Sequence, residues 1–148
     1  MHPFPHVYSV AASGGASGNV ALTAAGIPQL MSAAPVEFDG PGDQWSPESL
    51  LAAAVAGCFI LTFRAIATAS HLQWLHLKCD VSATLERVEG VMRFTRMVTH
   101  AVLTVRGTEN TAAYERALSK AERGCLVANS LSCSRELQFE IIEAPAER

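Results

Sequence analysis

One apolar segment constrains the fold of this chain more than any other feature of its 148 residues. From Leu50 to Phe63 almost every residue is apolar, and Arg64 is the first charged residue after Glu48. The run is about 14 residues long, which is shorter than the ~20 residues that a membrane-spanning helix requires. Because the run is also rich in alanine, which is only weakly apolar, we expect a buried helix of a soluble protein and no membrane span.

The residues before this segment define the start of a helix. Ser46 is suited to cap it, Pro47 fits the first helical position, and Glu48 favours the positive end of the helix dipole. Helix-forming residues continue to about Ser70 and are apolar nearly all round, which predicts burial on every side. One sheet of a chain this short covers only part of such a helix, so we expect a homodimer in which a second copy covers the rest.

The composition narrows the class of protein. Hydrophobic residues make up 49% of the chain and charged residues 17%, which excludes an intrinsically disordered protein. Lys and Arg number 11 against 14 Asp and Glu, and the resulting net charge of −3, without a dense basic run, argues against nucleic acid or an anionic membrane as a partner. The first residues, MHPFPHVYSV, lack the pattern of a secretory signal, so we expect a cytoplasmic protein whose cysteines are reduced.

Hydrophobic periodicity predicts the order of the elements. The predicted strands share an alternating pattern and occupy residues 6–12, 20–24, 29–33, 75–85, 93–106 and 137–141. The predicted helices occupy residues 46–70 and 110–123, and Glu89-Gly90 is expected to turn the chain between two long strands. The order βββ-α-ββ-α-β favours an α+β fold with antiparallel sheets rather than a parallel doubly wound fold. We expect residues 1–148 to form a single domain.

Cysteines are the residues best suited to carry chemistry, and they stand at positions 58, 79, 125 and 133. No CxxC pair occurs, which excludes a zinc ribbon or a thioredoxin-type motif. His71, His76 and Cys79 have no obvious fourth ligand nearby in sequence, so we expect no metal and no cofactor. Taken alone, Cys58 and Cys125 are better explained as small apolar core residues than as catalytic thiols.

Glu48 precedes Cys58 by ten residues, which corresponds to a rise of about 15 Å along one straight helix. The two side chains therefore cannot touch within a single helix, and they act together only if one comes from another chain or the helix breaks. A carboxylate at a helix start is by itself a sufficient explanation of Glu48.

Two motifs resemble those of the OsmC/Ohr family, the osmotically inducible and organic hydroperoxide resistance proteins of bacteria. The first runs from Ser46-Pro47-Glu48 through the alanine-rich middle to Gly57-Cys58-Phe59. The second, KAERGCLVAN over residues 120–129, is similar to the segment that holds the second cysteine of that family. With the preceding Gly-Pro-Gly loop and the order of elements, the resemblance covers roughly residues 6–143.

This resemblance implies an intertwined homodimer, with central helices wrapped by strands and a thiol peroxidase site at the subunit interface. It assigns Cys58 as the peroxidatic thiolate and Cys125 as the resolving cysteine, and it lets Glu48 act across chains. The disulfide between the cysteines would be reduced by an external dithiol, a protein-bound lipoyl group in Ohr-type members. Apolar neighbours such as Phe59 and Ile60 would favour organic hydroperoxides over hydrogen peroxide.

The sequence departs from the family pattern at one position. A reactive thiolate usually needs a nearby cation, which the Ohr branch supplies as an arginine from its N-terminal glycine loop. Here that loop is Ser13-Gly14-Gly15-Ala16-Ser17-Gly18, and Ala16 stands where the arginine is expected. The possible replacements are Arg64, Arg93, Arg96 and Arg123, each of which is better explained as a solvated surface residue.

The missing arginine leaves two alternatives to the peroxidase. One is a non-catalytic dimer of the same fold that binds a small apolar ligand in the interface pocket. The other is a redox sensor in which slow formation of the Cys58–Cys125 disulfide is the signal. Cys79 and Cys133 match no catalytic position of the family and are expected to pack.

Overall fold

The computed structural model of the chain describes residues 1–147. They form two compact units, the first over Met1–Leu51 and the second beginning at Ala52. Along the chain come three strands, a 3-10 helix, a long helix, two strands, two further helices and a last strand. The predicted order βββ-α-ββ-α-β is therefore confirmed, with two short helices added to it, and the fold is of the mixed α+β class.

The first unit contains a small antiparallel sheet with its strands in chain order. Its strands are β1 (Ala11–Ser13), β2 (Val20–Thr23) and β3 (Leu30–Ser32). The strand predicted over residues 6–12 is wrong in its first part, because β1 begins only at Ala11 and the residues before it are exposed. A 3-10 helix over Val36–Phe38 follows, and the chain then returns to β3, where Ser32 pairs with Trp45.

The long helix α1 (Pro47–Ala69) begins where the sequence predicts it. The Ser46 hydroxyl accepts the backbone N–H of Ser49 at 3.1 Å, and the Ser49 hydroxyl accepts the N–H of Ser46 at 2.9 Å. This reciprocal arrangement satisfies donors that the first turn of a helix otherwise leaves unpaired. The capping role predicted for Ser46 is confirmed.

A single protomer buries only one stripe of α1. The buried residues Val55, Phe59, Phe63 and Ala67 are four positions apart, and 22% of the most apolar 18-residue window is buried. One chain therefore covers only part of the helix, as the sequence predicts. The helix continues past Arg64, as predicted. With its 23 residues, α1 is long and apolar enough to span a membrane by length and composition alone, a test that core helices of soluble proteins also pass.

The second unit contains a sheet ordered β4-β5-β6. Strands β4 (His76–Val88) and β5 (Val91–Val105) form an antiparallel hairpin. The predicted turn Glu89-Gly90 joins them, and both of its residues have the positive φ that a tight hairpin turn requires. Strand β6 (Ser134–Glu143) lies parallel to β5, which corrects the expectation of purely antiparallel pairing. The helices between β5 and β6 provide the crossover connection that a parallel pair needs.

Two helices connect β5 to β6. Helix α2 (Thr111–Gly124) is the predicted second helix, and the four-residue helix α3 (Leu126–Asn129) follows it after a single residue, Cys125. The core of this unit lies between α1, α2 and one face of the sheet. Its members are large apolar side chains and alanines, among them Phe59, Phe63, Leu77, Ala101, Leu103, Val105, Leu118 and Ala121.

Candidate functional site

Cys58 lies on α1, between the buried residues Val55 and Phe59, and is half-buried. Thr62 stands one turn further along the helix, and its hydroxyl donates to the Cys58 carbonyl at 2.7 Å. The same hydroxyl oxygen lies 3.9 Å from the Cys58 sulfur. The 3.6-residue period of the helix places this pair on one face.

Cys125 is the single residue between α2 and α3, and only 1% of it is exposed. Its sulfur lies 3.9 Å from the backbone carbonyl of Val55, one turn before Cys58 on α1. A side chain added at Gly124 would place its Cβ 3.4 Å from Thr62, so the end of α2 also approaches α1 one turn after Cys58. The structure thus brings Cys58 and Cys125, which are far apart in sequence, to one place, and all four cysteines are reduced.

The surroundings lower the pKa of Cys58 below its ordinary value. The largest single effect, desolvation by burial, acts in the opposite direction and raises the pKa. It is outweighed by hydrogen bonds that stabilise the thiolate. Their donors are the backbone N–H of Val127, the Cys125 thiol, the Thr62 hydroxyl once it rotates from the Cys58 carbonyl towards the sulfur, and the backbone N–H of Leu126. All four donors are uncharged, so the Cys58 thiolate is favoured without the cation expected from the family pattern.

Cys125 shifts in the other direction. Burial raises its pKa, the N–H of Ala128 partly offsets this, and the neighbouring Cys58 and the Glu122 carboxylate raise the pKa further. In this pair Cys58 is therefore the thiol that ionises first, and Cys125 is the protonated partner that donates to it.

The two backbone N–H donors belong to the first turn of α3. Cys125 occupies the N-cap position, so the N–H groups of Leu126 and Val127 have no intrahelical acceptor. Sequence reasoning missed these donors and Thr62. The spacing of Thr62 four residues after Cys58 could have indicated the hydroxyl, whereas no residue type predicts a backbone N–H.

Glu48, the third predicted site residue, lies in the first turn of α1 and belongs to the first unit. Within residues 1–147 its Oε2 is buried without a hydrogen-bond partner. A buried carboxylate oxygen in this state is costly, and the cost is removed by a cation or another donor. Ala16, at the position of the expected arginine, is exposed in the segment between β1 and β2.

The arginines considered as replacements lie on the surface. Arg96 pairs with Glu136, across β5 and β6. Arg64, Arg93 and Arg123 are exposed. The groups that lower the pKa of Cys58 include none of the four.

The remaining cysteines have different surroundings. Cys79 lies on β4 against the core, and burial together with the negative charges of the Asp80 and Glu122 carboxylates raises its pKa to about 12. Cys133 is half-buried just before β6. Within residues 1–147, no group of three or more His, Cys, Asp or Glu side chains is arranged to hold a metal ion.

Comparison with known proteins adds a family and a set of solved structures. Residues 40–140 match the family model described as OsmC-like protein, a range that includes both cysteine motifs. The uncharacterised protein YmaD of Bacillus subtilis is 26% identical over 109 residues, which cover 72% of this chain and 73% of YmaD.

Two solved structures share the fold. One is the organic hydroperoxide resistance protein OsmC of Legionella pneumophila, with a TM-score of 0.73, 24% identity and coverage of 94% of this chain and 98% of the other. The second is an organic hydroperoxide resistance protein of Elizabethkingia anophelis, with a TM-score of 0.76, 18% identity and coverage of 97% and 100%. At these identities the likeness establishes the fold alone, which agrees with the two three-stranded sheets described above.

Proposed function

Because the chain belongs to the OsmC-like family, we propose that it is a thiol-dependent peroxidase that reduces organic hydroperoxides through Cys58 and Cys125. One observation carries the proposal. The Cys58 thiolate is favoured by four neutral donors, and one of them is the second thiol that the reaction needs. The structural relatives from Legionella pneumophila and Elizabethkingia anophelis are named organic hydroperoxide resistance proteins, which supports organic hydroperoxides as the substrates.

The proposed reaction has three steps. The Cys58 thiolate attacks the terminal oxygen of the hydroperoxide, the O–O bond breaks, and the leaving alkoxide takes up a proton as the alcohol. The sulfenic acid on Cys58 is then attacked by the Cys125 sulfur, and water leaves as the disulfide forms. An external dithiol reduces this disulfide by two electrons and two protons and is itself oxidised to a disulfide.

We infer the substrate class from the apolar residues that follow Cys58 on α1. Phe59 is fully buried, Ile60 is partly buried, and Leu61 is 59% exposed. Apolar residues near the thiol favour a hydroperoxide with an apolar organic group, because that group gains from leaving water. Hydrogen peroxide has no comparable group to bury.

We infer that the protein is a homodimer whose site lies at the subunit interface, in a single domain formed by the whole chain. The uncovered face of α1 supports this, since an apolar helix face that remains exposed in one chain is the usual mark of an interface. The first ten residues add further exposed apolar side chains, including Phe4, Val7, Tyr8 and Val10. A second copy would also supply a partner for the buried Glu48 oxygen.

We place the protein in the cytoplasm, where thiols are kept reduced.

Turnover of cumene hydroperoxide or tert-butyl hydroperoxide with a dithiol such as dihydrolipoamide tests this proposal. We expect sustained hydroperoxide consumption by the wild-type protein and none by Cys58→Ser. If the thiols stay reduced after peroxide addition, the peroxidase proposal fails and the ligand-binding alternative is favoured. If one disulfide forms per site without sustained turnover, the redox-sensor alternative is favoured.

A further inference from the structure

The most buried ion pair among residues 1–147 lies beside the cysteine-bearing turn. Arg135, the second residue of β6, donates from Nε to Glu122 Oε1 at 2.9 Å, and the two side chains are 23% and 17% exposed. In each of the four other ion pairs both partners are at least 39% exposed. Exposed pairs contribute little, whereas a guanidinium held by several acceptors at a partly buried site fixes geometry.

The Arg135 guanidinium reaches both ends of the turn that carries Cys125. Its Nη2 donates to the Glu122 carbonyl in the last turn of α2, and its Nη1 donates to Asn129 Oδ1 at 2.7 Å, at the end of α3. The Asn129 amide in turn donates to the Arg123 carbonyl at 3.0 Å. The Arg135 side chain, which extends from β6, therefore bridges the two ends of the segment 123–128.

We propose that Arg135 is a positioning residue, which holds the α2–α3 turn so that the Cys125 thiol and the N–H groups of Leu126 and Val127 face Cys58. Arg135 touches neither sulfur in the contacts described above and acts through the turn. Lysine cannot replace it, because a single ammonium group lacks the planar arrangement of donors that reaches Glu122 Oε1, its carbonyl and Asn129 together. The inference rests on the proposed function only where it concerns the disulfide.

The test compares Arg135→Lys and Asn129→Ala with the wild type in two measurements. The first is the pH dependence of Cys58 alkylation by iodoacetamide, resolved by peptide mass spectrometry from the other cysteines. The second is the rate of Cys58–Cys125 disulfide formation after one equivalent of cumene hydroperoxide. Arg106→Gln is the matched control, because it removes an arginine from an exposed ion pair with Glu147, at 71% and 88% exposure.

We expect both variants to move the alkylation midpoint of Cys58 to higher pH and to slow disulfide formation by about tenfold to 100-fold. Arg106→Gln should leave both measurements at wild-type values. The melting temperature is measured alongside, since a merely structural role lowers it without moving the alkylation midpoint. An unchanged midpoint in folded Arg135→Lys and Asn129→Ala overturns the proposal.

The two proposals fail separately. If the wild-type protein consumes no peroxide but the alkylation midpoint still depends on Arg135, the peroxidase fails and the positioning role stands. If turnover is robust and the midpoint is indifferent to Arg135, the peroxidase stands and the positioning role fails.

Discussion

Cys58 and Cys79 are both half-buried cysteines of the second unit, yet their pKa values shift in opposite directions. Burial raises the pKa of both thiols. Around Cys58 it is outweighed by uncharged donors on α1 and the α2–α3 turn, whereas around Cys79 it is reinforced by the charges of Asp80 and Glu122. The comparison shows that hydrogen-bond donors around a thiol can outweigh burial, which is the largest single effect at both cysteines.

The difference between Cys58 and Cys79 is tested most directly by removing each sulfur in turn. We expect Cys58→Ser to lower the rate of hydroperoxide consumption by at least about 1000-fold, because it removes the sulfur that attacks the peroxide. Cys79→Ser is the matched control and should retain the wild-type rate. Consumption measured with ferrous xylenol orange decides the point, and a large loss of rate in Cys79→Ser contradicts the assignment.

Glu48→Gln tests whether a cation held by Glu48 also stabilises the Cys58 thiolate. If Glu48 orients a cation toward the thiolate, removal of its charge should slow the reaction with peroxide about tenfold while the thermal stability changes little. Stopped-flow single-turnover rates and thermal unfolding measure the two effects. Equal rates in the variant and the wild type would leave Glu48 with a role at the start of α1 only.

Thr62→Val tests whether an uncharged hydroxyl contributes to the reactivity of Cys58. The substitution keeps the shape of the side chain and removes the hydroxyl that lies 3.9 Å from the Cys58 sulfur. We expect peroxide reactivity near neutral pH to fall about two- to fivefold, the effect of one neutral hydrogen bond. Thr68→Val is the control, because its hydroxyl donates to the Arg64 carbonyl at 2.9 Å elsewhere on α1. A variant as reactive as wild type would remove Thr62 from the set of donors.

Cys79→Ala gives the smallest effect, and it concerns stability rather than activity. A thiol whose pKa is raised to about 12 in the folded protein stabilises the fold below its unfolded pKa. That contribution is lost as the pH rises toward 12, because the unfolded thiol ionises first. The free energy of unfolding of the wild type should therefore fall more steeply with alkaline pH than that of Cys79→Ala. Parallel curves for the two proteins would contradict the raised pKa.

Much of the fold was predictable because its signals are local. The Ser46 cap, the Glu89-Gly90 turn and the alternation along β4 and β5 each depend on neighbours in sequence. The parallel pairing of β6 was not predicted, since it depends on contacts distant in the chain.

The candidate site shows the same division. Cys58, Cys125 and Glu48 were named from motifs, and the structure brings the two cysteines together. The sequence suggested a cation from an arginine, because a sequence identifies side chains but not the position of backbone donors. The donors present instead are backbone N–H groups of α3, a four-residue helix with too little periodicity to be recognised.

The acidity of Cys58 relative to Cys79 tests the central claim most directly. Peptide-resolved alkylation of the wild-type protein across the pH range gives both values in one experiment. The account predicts that Cys58 is alkylated with a midpoint below that of an ordinary thiol and Cys79 with a midpoint far above it. A Cys58 midpoint equal to or above the ordinary thiol value would contradict the account.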